Sequence, residues 1–101
     1  MKTVTICGSM RFEREMREIA WDLETCHGFN VLQCIYAPFG AVPSVSEKER
    51  LANAHYRKID LSDAIYVVDI GGYMGESVRQ EIAYAHEKGK AILFHSQFTR
   101  K

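Results

Sequence analysis

The chain has 101 residues, with 13 basic and 13 acidic side chains and a net charge of zero. That is the length of one domain, residues 1–101, and a balanced charge leaves no electrostatic footprint for duplex nucleic acid or an anionic membrane, so any anion bound is small and held locally. Its three cysteines, Cys7, Cys26 and Cys34, are odd in number and lack zinc-ligand spacing, which reads as reduced thiols in the cytoplasm and predicts neither a metal nor a cofactor.

Residues 3–7 form a short β-rich run ended by Gly8. No basic leader with a long apolar run precedes it, so no secretory signal is expected, and no apolar stretch is long enough to span a bilayer. From residue 10 to 26 the period becomes helical, with Phe12, Met16, Ile19, Leu23 and Cys26 on one face and Gly28 as the stop. Trp21 falls off that face. An off-core tryptophan on a domain this small predicts a homo-oligomer, a dimer or higher, that covers it.

Residues 30–36 read as a second strand. Residues 37–45 hold both prolines and Gly40, so they form a loop. A second helix starts at a capping box, for which both Ser44–Glu47 and Ser46–Glu49 have the spacing, and runs to about Leu61 with Leu51, His55 and Ile59 stacked. Residues 64–70 are a continuous apolar run, as in a central buried parallel strand. Residues 71–76 form a glycine-rich loop, residues 77–88 a third helix stopped by Gly89, and residues 91–94 the last strand.

Four strands alternating with three helices predict a parallel α/β sheet with helices on both faces. Ligands bind such sheets beyond the carboxyl ends of the strands, where strand order reverses. The segment Cys7-Gly8-Ser9-Met10-Arg11 joins a strand to a helix at that end. Free N–H groups there favour an anion, Ser9 can donate a hydrogen bond, and Arg11 can grip phosphate oxygens in a bidentate fashion. The competing reading is a glycine turn, a serine cap and a solvated arginine.

Glu81 lies on the third helix within the stripe of Val78, Ile82 and Ala85. A carboxylate there is partly desolvated, which is costly unless it is paired or used. Ser77 and Gln80 have the capping-box spacing, which leaves Glu81 without a capping role. His55 shares an apolar face with Leu51 and Ile59, and reads either as a satisfied core histidine or as a catalyst. Asp69 ends the central strand at the mouth of the crevice, where it could bind sugar hydroxyls. Asp60 and Asp63 fit the helix-to-strand turn. His27, His86 and His95 have no partners at ligand spacing.

The run Ile6-Cys7-Gly8-Ser9-Met10-Arg11-Phe12 resembles the first loop of the nucleoside 2-deoxyribosyltransferase superfamily. So does the block from His55 through Lys58-Ile59, Ser62-Asp63, Gly71-Gly72-Tyr73 and Gly75-Glu76-Ser77 to Glu81-Ile82 and Lys90. The resemblance implies a flavodoxin-like (Rossmann-like) fold and cleavage or transfer at the N-glycosidic bond of a nucleoside or nucleotide. It implies Glu81 as the nucleophile on the sugar's anomeric carbon, with His55 or Asp69 positioning or protonating. Gly8, Ser9 and Arg11, with Met10 between them, match the phosphate loop of the nucleoside 5′-monophosphate glycosidases. His55 stands where the family usually has an aspartate. Gly75 replaces the family's acidic or seryl residue six before the glutamate, and with nearby Ser77 it completes the expected substrate-binding set. The alternative expectation is a nucleotide-binding module of the same fold without catalysis.

Overall fold

The computed structural model describes residues 1–98. Strands β1 (Thr3–Gly8), β2 (Asn30–Leu32), β3 (Ala64–Val68) and β4 (Ala91–Phe94) alternate with helices α1 (Glu13–Thr25), α2 (Val45–Asp60) and α3 (Glu76–Glu87), and a short helix α4 (His95–Phe98) follows. All strand pairs are parallel and the sheet order is β2-β1-β3-β4. This is the expected flavodoxin-like arrangement. The chain leaves β1 toward β2 on one side and returns to β3 on the other, so strand order reverses at the β1–β3 pair. That pair is where the topology opens a crevice.

Strand parity sorts side chains to the two faces. Val4, Ile6, Ala64, Tyr66 and Val68 pack with Met16, Ile19, Ala20 and Leu23 of α1. Cys7, Ile65 and Val67 pack with Ile59 of α2 and with Val78 and Ala85 of α3. Every residue of β3 is buried, which explains its unbroken apolar run. Among the described residues no helix is long and apolar enough to cross a membrane. Trp21 is 71% exposed on the solvent side of α1.

Several element ends differ from expectation. β2 stops at Leu32 because it is an edge strand paired only to Thr3, Val4 and Thr5. Beyond it the Gln33 carbonyl accepts from Lys58 Nζ at 2.7 Å, and the chain leaves the ladder. Residues 10–12 form one 3₁₀ turn before α1, and α1 ends at Thr25, so Cys26 is exposed rather than on the core face. At α2 the Ser44–Glu47 box is the one formed, with Glu47 N donating to Ser44 Oγ and Ser44 N to Glu47 Oε1. At α3 the expected Ser77–Gln80 box does not form. The helix starts at Glu76 with Gly75 as its N-cap, and no side chain caps it.

Gly8 is also required by packing. A Cβ built there would stand 2.7 Å from Met16 Sδ and 3.1 Å from Val68 Cβ. The methionine tip can swing aside, but the Val68 branch point is fixed in the sheet. Gly8→Ala is expected to cost about 1–3 kcal/mol of stability, as overpacking does. A chemical denaturation midpoint equal to that of wild type would contradict this packing account.

Candidate active site

Three elements converge below the β1–β3 crevice. Cys7 projects from β1 toward the α2 and α3 face by strand parity, His55 comes from the buried side of α2, and Glu81 comes from the second turn of α3. His55 Nε2 lies 3.4 Å from Glu81 Oε1 and 3.4 Å from Cys7 Sγ. The His55 and Glu81 side chains are only 10% and 15% exposed. A carboxylate so enclosed has little water to solvate it, and its neighbours here are an imidazole and a thiol.

The two ring nitrogens of His55 differ sharply. Nδ1 is buried and has no hydrogen-bond partner among the described residues. A proton on Nδ1 would leave an unsatisfied buried donor, so the neutral ring is assigned its proton on Nε2, facing Glu81. The 3.4 Å separation is long for a hydrogen bond. Cys7 and Glu81 both meet the same nitrogen. In a nucleophile–histidine–acid relay the acid orients the base through the other nitrogen, so this cluster is not a cysteine triad. Burial pushes the Cys7 thiol well above its ordinary pKa, and the adjacent Glu81 carboxylate pushes it further. Cys7 is therefore a protonated thiol and a poor nucleophile as long as no cation lies beside it. The Cys34 thiol is also raised, by burial above all, against the pull of Lys58 and a hydrogen bond involving Tyr36.

His55 and Glu81 form the floor of a cavity of about 510 Å³. Its walls include Gly8, Ser9 and Met10 after β1, Cys34 after β2, Lys48 and Leu51 of α2, and Gly75 and Ser77 at the start of α3. Small-ligand sites commonly have this size. Ser9 N-caps the 3₁₀ turn, its Oγ accepting from Arg11 N at 3.3 Å. Across the cavity the amino end of α3 carries no side-chain cap, which leaves backbone N–H groups and the positive end of the helix dipole beside Ser77.

Two expected site residues lie elsewhere. Arg11 does not line the cavity, and its guanidinium stacks on the Tyr73 ring at 3.8 Å. Tyr73 in turn meets Phe12 edge-on. Asp69 is buried, and its two oxygens accept from Ser96 N at 2.9 Å and Ser96 Oγ at 2.7 Å. It ties α4 to the end of β3 and does not line this cavity, so it does not meet the expectation of a contact with sugar hydroxyls there. Asp63 and Asp60 sit at the helix-to-strand turn, but their carboxylates reach beyond it: Asp63 Oδ2 accepts from Thr3 N at the start of β1, and Asp60 Oδ1 accepts from Tyr84 OH of α3.

The reading by residue type missed Cys7, Cys34 and Lys48. For Cys7 a signal existed, since it alternates with Thr5 and shares its face. Lys48 and Leu51 are one turn apart on α2 below the cap, and His55 continues that stripe.

No family model matches the sequence, and no curated protein matches it. Among solved structures the chain is similar to a CMP N-glycosidase, BcmB, of Clostridium botulinum. The TM-score is 0.59 with 21% identity, over 92% of this chain and 70% of that one. At that identity the likeness establishes a shared fold and nothing finer.

Proposed function

We propose that the protein cleaves the N-glycosidic bond of a nucleoside 5′-monophosphate, with Glu81 as nucleophile. The observation that carries this reading is the enclosed Glu81 carboxylate, facing His55 Nε2 on the floor of a ligand-sized cavity. The glycosidase fold of the similar structure supports it.

A Glu81 oxygen attacks C1′ of the sugar. The C1′–N bond breaks and the base leaves with its electron pair, taking a proton from solvent. Water then attacks C1′ of the glycosyl ester and loses a proton, giving the free sugar phosphate and restoring the carboxylate. A base in place of that water gives transfer. The transition state is oxocarbenium-like, so the carboxylate also stabilises it by charge. His55 Nε2–H donates to one Glu81 oxygen and leaves the other for attack, which makes His55 a positioning residue.

The phosphate is assigned to the cavity wall that Lys48 of α2, Ser77 and the uncapped amino end of α3 contribute to, with Ser9 lining the same cavity. Lys48 takes the role that Arg11 was expected to have. Incubation with paired nucleosides and 5′-monophosphates, with free base followed by chromatography, should show release from the monophosphates first. Lys48→Ala should weaken the monophosphate by about 1.5 kcal/mol, roughly tenfold, and barely affect the nucleoside. Arg11→Ala should do less. Equal affinity of wild type for the two ligands by calorimetry, or a larger loss in Arg11→Ala than in Lys48→Ala, would overturn the phosphate assignment.

Assembly belongs to the same reading. The exposed Trp21 is proposed to lie at an interface between copies of the chain. Sedimentation should show a dimer or larger species at micromolar concentration. A monomer with fully quenchable tryptophan fluorescence would refute it.

A further inference from the structure

Cys7, His55 and Glu81 offer three chemically different ligand atoms, a sulfur, an imidazole nitrogen and a carboxylate oxygen, all within 4.8 Å of one another. They come from a strand and two helices of one packed face, so their spacing is set by the core. Two edges of this triangle are 3.4 Å, from Nε2 to Oε1 and from Nε2 to Sγ. A tetrahedral zinc ion with bonds of about 2.0–2.3 Å separates neighbouring ligand atoms by about 3.4–3.6 Å. The two edges from Nε2 therefore match a tetrahedral face, and the third, no longer than 4.8 Å, closes by rotation of the Glu81 side chain.

We infer that Cys7, His55 and Glu81 bind a divalent transition metal of zinc's class, with the fourth coordination position open to the cavity; on binding, Cys7 Sγ loses its proton to solvent and the His55 proton moves from Nε2 to Nδ1. A mixed sulfur, nitrogen and oxygen set suits zinc or cobalt and does not suit magnesium or calcium, which take oxygen ligands. The cavity that His55 and Glu81 floor is the entry path, and Cys7 closes the site from behind at 1% exposure. Ligating histidines usually donate their second nitrogen to an acceptor, and His55 Nδ1 has none among the described residues. The missing partner makes this an exchangeable site rather than a permanent structural one.

Occupation has a consequence for the reaction proposed above, on which this part alone rests. The metal takes a Glu81 oxygen into coordination and withdraws the nucleophile, so the ion inhibits base release reversibly.

Cobalt(II) titrated into the reduced 101-residue protein tests the binding itself. The expected result is a thiolate-to-cobalt charge-transfer band in the near ultraviolet, with intense visible bands of tetrahedral cobalt, at one equivalent. Zinc should bleach both. The Cys26→Ser/Cys34→Ser double variant should keep the charge-transfer band, because Cys7 is then the sole thiol. Cys7→Ser should lose it and bind zinc at least tenfold more weakly. Absence of the band from wild type, or its loss in the double variant, would overturn the site, whether or not Cys7→Ser folds. In parallel, one equivalent of zinc should suppress base release and a chelator should restore it. The band with no base release from metal-free protein would refute the reaction and leave the metal site standing. The band with base release indifferent to zinc would overturn the inhibition.

Discussion

Glu81→Gln is expected to abolish base release, lowering the rate by roughly 10³-fold or more, the scale on which losing a nucleophile is felt. An amide oxygen is neutral and carries no electron pair of comparable reactivity toward C1′. The amide is nearly isosteric with the carboxylate, and it can still accept from His55 Nε2. Burial of the side chain beside Val78, Ile82 and Ala85 should therefore be kept, and stability should stay within about 1 kcal/mol of wild type. If Glu81 were instead a structural ion-pair partner for His55, the outcomes would be exchanged. The melting temperature would fall and any activity would survive. Thermal melts and single-turnover base release on one preparation separate the two cases.

His55→Ala should give the second largest loss, about 10–100-fold in kcat with KM little changed. A group that orients the nucleophile acts mainly in the transition state. His55→Gln keeps an N–H donor at comparable reach and should recover part of the rate. His55→Phe fills similar volume with no donor and should recover none. Equal rates for the Gln and Phe variants would mean that His55 only fills space on α2.

The alternation of strand and helix was readable because each element buries a continuous or periodic apolar set. The five buried residues of β3 admit no reading as an exposed loop. Glu81 was readable for the same reason. The helical period fixes it between Val78 and Ala85, both buried, whatever the first residue of α3 is. The start of α3 was not readable from a capping pattern alone. The turn before it is set by Gly71 and Gly72 at φ +65° and +80°, and Gly75 is then the N-cap, so the helix begins at Glu76, ahead of Ser77.

Contacts between residues distant in sequence were the other gap. Asp69 meets Ser96, 27 positions on, and spacing alone carries no sign of it. Arg11 shares its short 3₁₀ turn with Phe12, and both reach Tyr73. A reading of the loop as a phosphate grip cannot see that ring. The meeting of Cys7 with His55 and Glu81 depends on which face of β1 receives α2 and α3. Parity pairs Cys7 with Thr5, but the order β2-β1-β3-β4 is what brings both helices to that face.

The most direct test of Glu81 as nucleophile is to trap the glycosyl-enzyme. A 5′-monophosphate substrate is mixed with wild-type protein, quenched in acid during turnover, digested and analysed by mass spectrometry. The account predicts a sugar-phosphate adduct on the peptide that contains Glu81, absent from Glu81→Gln. Release of base with no adduct at any quench time, or an adduct on Cys7 instead, would contradict it.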